Sequence, residues 1–204
     1  MKKAQVGVDE AGRGPLAGPV SVGVVRITNF PQVKKLFPRV KDSKQLSEAK
    51  REAWFKNIQT LKKEGHVTYG VALVSATHID TKGIVDAIRA GMKKALTMAG
   101  ARPSDEVKLD GGLRAPAQFK NQKAYIKGDA THLEIALASV CAKVLRDRRM
   151  VAYAKVYPKY NFETHKGYGT ASHIKAIKKH GLSKLHRKTF CTRLIDPVRS
   201  RSRS

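Results

Sequence analysis

An α/β domain built around a mixed sheet is predicted for this 204-residue chain by three observations. β-branched segments of strand length crowd its first third, strand-like and helix-like segments alternate through its middle, and helical periodicity follows. With 41% hydrophobic residues the chain has enough apolar side chain for a real core. The usual range of roughly 100–200 residues per domain allows one domain, at most two small ones.

Gln5-Val6-Gly7-Val8-Asp9 reads as a strand that stops at Glu10-Ala11-Gly12-Arg13-Gly14-Pro15, where glycines and a proline break the pattern. Pro19–Ile27 and His66–Val74 read as two further strands. Between them, Ser47 is placed as the N-cap of a helix with Ala49, Ala53, Trp54, Ile58 and Leu61 on one face and Gly65 as its stop. Thr77-His78-Ile79-Asp80 resembles a capping box for a second helix, carrying Ile84, Val85, Ile88, Met92, Ala95 and Leu96 up to Gly100. Glu106–Asp110, closed by Gly111-Gly112, and Lys123–Lys127 are two more strand candidates. Thr131-His132-Leu133-Glu134 reads as another capping box, opening a helix whose seam is Leu133, Leu137, Val140, Val144 and Val151. No internal repeat is visible.

Charge points to the partner. Forty-one Lys and Arg against 16 Asp and Glu give a net charge of +25 and an isoelectric point near 10.3, so a polyanion is the expected ligand. No run approaches the ~18 apolar residues of a membrane span, and no apolar leader follows Met1-Lys2-Lys3; a cytoplasmic protein is expected. Cys141 and Cys191 have neither disulfide-framework nor zinc-site spacing and read as buried thiols. From Lys175 onward there are ten Lys or Arg and one acid, Asp196. The last residues, Arg199-Ser200-Arg201-Ser202-Arg203-Ser204, are low-complexity. The chain is therefore divided into a domain over 1–196 and a basic Arg-Ser tail over 197–204, expected to be disordered and to add affinity without selectivity.

In so basic a chain, acids at strand ends beside glycines need a reason. Asp9-Glu10 ends the first strand, Asp110 precedes Gly111-Gly112, and Asp129 follows Lys127-Gly128 ahead of the clearest helix. Carboxylates at the C-terminal ends of strands project into the crevice where α/β proteins place ligands, and a cluster of them there can hold hard divalent cations. Such a cluster would repel phosphate unless metal neutralised it. Two Mg²⁺ or Mn²⁺ ions, typically ~3.5–4 Å apart, resolve the conflict. Adjacent strand residues point to opposite faces, so Asp9 and Glu10 share one site only if the strand ends between them or Glu10 acts through its carbonyl. The following glycines favour the former. Taken singly, Asp9-Glu10 and Asp110 also fit ordinary turns, Asp129 a helix-terminus charge, and Asp147, inside Arg146-Asp147-Arg148-Arg149, a helix-surface charge. In Gly12-Arg13-Gly14, glycines let backbone groups approach a sugar-phosphate chain while Arg13 reaches phosphate. His165-Lys166-Gly167-Tyr168-Gly169-Thr170 sets an aromatic between glycines near a cation, which suits stacking on a sugar or base. The seven histidines show no short metal-binding spacing and read as surface or core residues.

Six ordered blocks carry a resemblance over nearly the full length. They are Val8–Val20, Asp42-Ser43-Lys44-Gln45-Leu46-Ser47, Leu109-Asp110-Gly111, Lys127-Gly128-Asp129, Ala138–Arg148 and His165–Thr170. In them the chain resembles type 2 ribonuclease H, the bacterial ribonuclease HII group. The resemblance implies an RNase H-like five-stranded mixed sheet flanked by helices, with a helical C-terminal part. It implies cleavage of the RNA strand of RNA/DNA hybrids and incision 5′ of single ribonucleotides in duplex DNA, leaving 3′-hydroxyl and 5′-phosphate ends. The family's four metal-binding acids fall on Asp9, Glu10, Asp110 and Asp129, and its 2′-hydroxyl-reading backbone on Gly12, Arg13 and Gly14. Its junction-sensing tyrosine falls on Tyr168, with Lys166 beside it on the substrate side and Asp147 in a supporting place. The 2′-hydroxyl is what distinguishes RNA from DNA at one position, so largely sequence-independent cutting is expected. A Gln-x-x-Leu-x-x-aromatic-aromatic clamp-binding motif is not found at the C-terminus, and a monomer is expected. Two rival readings are a noncatalytic basic nucleic-acid-binding protein, which the charge alone suggests, and a 3′–5′ exonuclease of the same superfamily. The second usually opens with Asp-x-Glu, whereas Asp9 and Glu10 are adjacent.

Overall fold

Strand β1 (Gln5–Ala11) is the middle of a five-stranded sheet in the order β3-β2-β1-β4-β5, with β2 Val20–Ile27, β3 Val67–Val74, β4 Glu106–Asp110 and β5 Gln122–Tyr125. β1, β2 and β3 pair antiparallel, whereas β4 and β5 run parallel to β1, so the sheet is mixed. The structure is a computed structural model describing residues 3–37 and 46–195. The block from Asp42 to Gln45 and the Arg-Ser tail lie outside those residues.

Helices cover both faces. On one, α3 (Ala76–Lys82) and α4 (Ile84–Met98) bring Ile79, Ile88, Met92 and Leu96 onto Val6, Val8, Val22 and Val24. On the other, α2 (Glu48–Lys63) and α5 (Leu133–Val156) bring Phe55, Ile58, Leu137 and Val140 onto Val25 and Ile27. Helix α5 lies unusually close to the sheet because Gly7 and Gly23 sit beneath it. A Cβ on Gly7 would fall 2.0 Å from the Glu134 carbonyl, and one on Gly23 would fall 2.3 Å from that of Ala138. That approach sets Ser139 over the end of β1, where the acids lie. A third cluster, Ala17, Met150, Ala154, Tyr160 and Phe162, fastens the C-terminal helices α6 (Phe162–His165) and α7 (Ala171–His180) to the β1–β2 loop, while α8 (Lys188–Ile195) packs Phe190 on the first cluster and sets Cys191 against the Leu16 carbonyl.

Several local expectations change. The predicted second helix is two: Ser75, not Thr77, caps α3, and Gly83 at φ 84° ends it and starts α4. The box at Thr131–Glu134 does not form, since His132 is the N-cap of α5 without a side-chain cap bond and Glu134 is buried 2.7 Å from Lys108 Nζ. Val151 is exposed, because α5 continues past the sheet. A short helix α1 (Phe30–Leu36), capped by Asn29, is too brief for its periodicity to be read in the sequence. Both cysteines are buried.

Candidate active site

The parallel pairing of β1 with β4 runs from Gln5–Glu106 to Val8–Leu109. The next residues on the two strands are Asp9 and Asp110, so the register alone sets two acids side by side at the C-terminal end of the sheet. Gly128, immediately before Asp129, donates its N–H to Asp110 Oδ1 at 2.6 Å, which brings the Gly128–Ala130 turn to the same edge. Asp9 and Asp129 are buried and Glu10 is half-buried.

Strand β1 does not end between Asp9 and Glu10. It continues to Ala11, with Glu10 opposite Val22, so the expected break is absent. The Glu10 charge nevertheless acts on Asp9, and the Asp110 charge acts on both. Burial pushes the Asp9 carboxyl up to about 8; the nearby Asp110 and Glu10 charges add to this, against hydrogen bonds from Ser139 and the Glu10 N–H. Burial also raises Glu10, aided by Asp110 and opposed by Arg13, whose Nη1 lies 3.4 Å from Glu10 Oε1.

Crowded, desolvated carboxylates in a chain of net charge +25 supply hard oxygen donors and surplus negative charge, the chemistry that fits a divalent cation. The donors are turned to protein partners: Asp9 Oδ1 accepts the Glu10 N–H at 2.8 Å, Glu10 faces Arg13, and Asp110 accepts from Gly128. Among the described residues no three His, Cys, Asp or Glu side chains are disposed as a ready ligand set.

Just past the acids, β1 leads into Gly12-Arg13-Gly14. The loop is held from below by Arg187, fully buried, which donates to the carbonyls of Gly12 at 2.7 Å, Arg13 at 2.8 Å and Gly18 at 3.0 Å. Arg146, equally buried, donates to Pro19 at 2.9 Å, Ala17 at 3.3 Å and Lys166 at 3.0 Å, all carbonyls. Gly12 stands at φ 83° with Arg146 Nε 1.9 Å from where a Cβ would be, so only glycine fits. Gly14 has open space and, with Arg13, is exposed.

Tyr168 stands beside this loop and is 40% exposed. Lys143 Nζ lies 5.2 Å and the Arg146 guanidinium 5.6 Å from the ring centroid. Asp147 pairs with Lys143 at 2.9 Å and lies 3.8 Å from Arg146. It is buried beneath Tyr168's two cations, and is not the helix-surface charge its basic neighbours suggest. Lys166, at φ 52°, turns its ammonium back toward the Glu163 carbonyl and Glu48.

A sequence model of the family Ribonuclease HII matches residues 6–194 of this chain. A ribonuclease HII from Endomicrobium trichonymphae is 46% identical over 184 residues, covering 90% of this chain and 83% of that protein. The chain belongs to the ribonuclease HII family. Ribonuclease H2 of Pyrococcus horikoshii OT3 superposes with a TM-score of 0.70 at 25% identity, covering 96% of this chain and 99% of that one. The fold is shared more widely: Bst-RNase HIII, solved with Mn²⁺, superposes with a TM-score of 0.69 at 17% identity over 98% of this chain and 71% of its own. Membership makes the chain a ribonuclease H of a divalent-metal-dependent family, and the noncatalytic reading of its charge falls away. No helix among the described residues is long and apolar enough to cross a membrane.

The site thus joins Asp9, Glu10 and Asp110 at one sheet edge with the turn bearing Asp129, and lays Gly12–Gly14 and Tyr168 along one side. Sequence reasoning gave no role to Arg187 and read the histidines only as surface or core residues; three of them, His165, His173 and His186, are buried and brace this ribonuclease HII loop system. Arg187 gives no local signal because its partners lie far away in sequence, and the histidines give none because their hydrogen bonds to backbone groups follow no ligand spacing. Burial pulls His173 and His186 down to about 4, with the neighbouring histidines adding to it, against an unfolded value near 6.5. Between those values the unfolded chain binds more protons than the folded one, so stability is present above about pH 6.5 and drains away as pH falls toward 4. Urea melts at stepped pH should show this loss. His173→Gln should flatten it, and an equally steep fall in that variant would contradict the assignment.

Proposed function

We propose that this ribonuclease H hydrolyses the RNA strand of RNA/DNA hybrids and nicks duplex DNA on the 5′ side of single embedded ribonucleotides, leaving 3′-hydroxyl and 5′-phosphate ends. The observation that carries the reading is the register of β1 and β4, which sets Asp9 beside Asp110 and leads directly from the acids into Gly12-Arg13-Gly14.

Asp9, Glu10, Asp110 and Asp129 are the groups that would hold Mg²⁺ or Mn²⁺, two ions with substrate bound, once their side chains turn from their present partners. Bound there, the metal would activate the attacking water and stabilise the leaving oxygen. The chain's own residues supply selection and grip. The carbonyls of Gly12 and Arg13 are taken by Arg187, so the exposed part of the loop has its N–H groups to offer a ribose 2′-hydroxyl. Such a test reads sugar and not base. Tyr168, backed by Lys143 and Arg146, stacks on the sugar beyond the ribonucleotide, with Lys166 near it and Asp147 fixing the cations. Net charge supplies salt-sensitive affinity for the duplex. The chain works as a cytoplasmic monomer in this reading.

The test is incubation with Mg²⁺ or Mn²⁺ and duplex DNA carrying one ribonucleotide, with and without EDTA. A nick 5′ of the ribonucleotide that EDTA abolishes is expected. No incision with either metal refutes the proposal.

A further inference from the structure

The buried histidines behind Tyr168 form a hydrogen-bonded chain whose proton positions are dictated from its ends. The Ser183 N–H can only donate, and it meets His186 Nδ1 at 2.9 Å, so that nitrogen carries a lone pair and Nε2 carries the proton. At the far end the Tyr168 carbonyl can only accept, from His173 Nδ1 at 2.9 Å, so His173 has its proton on Nδ1 and its lone pair on Nε2. The two Nε2 atoms meet at 3.1 Å, and the assignments forced independently from each end are complementary there. His165 stacks on His173 at 4.2 Å and is fixed in the same way, accepting the Gly167 N–H at 3.1 Å on Nδ1 and donating from Nε2 to the Tyr160 carbonyl at 2.7 Å. A proton added to any of the three rings would set a donor against a donor.

We propose that this chain of neutral imidazoles, Ser183 to His186 to His173 to Tyr168, is a positioning device that fixes the Tyr168 backbone and with it the ring, and so sets the preference for a single ribonucleotide over a long hybrid. The inference rests on the substrate role given to Tyr168 above. The groups facing the rings are consistent with it: Tyr160 and Phe162 pack on them, and the charges nearby, Glu163 and Lys166, lie at His165 and not at the His173–His186 contact. Residue 187, next to His186, holds the Gly12 and Arg13 carbonyls. One short segment therefore sets both the hydroxyl-reading loop and the stacking ring.

The parent protein gives the first test. ¹⁵N spectra of histidine-labelled full chain at neutral pH should show His173 as the Nδ1–H tautomer and His186 and His165 as Nε2–H; the opposite tautomer at His173 or His186 overturns the proposal. Variants give the second. His186→Leu removes both donor and acceptor, while His186→Gln keeps one of each. In His186→Leu, amide exchange at Gly167–Thr170 should speed up about tenfold, and the ratio of single-ribonucleotide incision to long-hybrid cleavage should fall about tenfold, both recovering in His186→Gln. A His186→Leu protein that melts with the parent and leaves exchange and ratio unchanged overturns the positioning. Tyr168→Ala, measured alongside, separates the two readings. An unchanged ratio there sinks the role of Tyr168 itself; a fall there without one in His186→Leu sinks only the positioning.

Discussion

Asp9→Asn and Asp110→Asn should each abolish incision, by about 10³-fold or more, while leaving affinity for a ribonucleotide-containing duplex within a few-fold. The asymmetry follows from where charge sits. Duplex affinity is expected from the chain's net charge of +25, to which two carboxylates at the end of β1 and β4 contribute nothing favourable. Turnover, in the proposed function, depends on the donor set those carboxylates would complete. Both variants should also melt no lower than the parent in EDTA, because each removes a carboxylate from a crowded group in which Asp9 is buried. Gel-based incision, fluorescence-anisotropy binding and thermal melts check the three statements separately. A variant that loses activity only because it unfolds would return these acids to a structural role.

Arg187→Met should destabilise the protein by on the order of 3–5 kcal/mol and slow incision of the protein that remains folded. Methionine keeps length and apolar stem but leaves the Gly12, Arg13 and Gly18 carbonyls without their buried donor. Arg187→Lys should rescue little, since a single ammonium cannot reproduce a planar fork aimed at three separate oxygens. Burial and the neighbouring Arg146 pull Arg187 down to about 10, yet it remains a cation at neutral pH. Its charge is spread over backbone dipoles of a loop that must stay still. Urea unfolding measures the first effect; a change of under about 1 kcal/mol would show that the loop holds itself.

The parts of this molecule legible in the sequence are those whose cause is local. β4 ends at Asp110 because Gly111-Gly112 follows it, and the start of α2 is read from Ser47, whose side chain accepts the Lys50 N–H. Where tertiary contact decides, local reading fails. Glu134 looks like the acid of a capping box but is claimed by Lys108 on β4. Gly12-Arg13-Gly14 was expected to end β1 just after Asp9, yet the pairing with β2 carries that strand on to Ala11. Asp147 looked solvated among arginines, and its burial follows from α5 running under the Tyr168 loop. The candidate acids were visible as acids, but nothing local says that Val8 pairs with Leu109 and so brings Asp9 beside Asp110. The arginine props gave no local signal because most of their partners, Pro19 and Ala17 for Arg146 and Gly12, Arg13 and Gly18 for Arg187, lie more than a hundred residues away.

The central claim is that these acids close on divalent ions when substrate is present. Anomalous diffraction from crystals of the chain with Mn²⁺ and a ribonucleotide-containing duplex tests it directly. Manganese peaks are expected within about 2.0–2.6 Å of carboxylate oxygens from Asp9, Glu10, Asp110 and Asp129, beside the phosphate 5′ of the ribonucleotide. Peaks lying elsewhere, with Asp9 and Asp110 still turned to their protein partners, would contradict it.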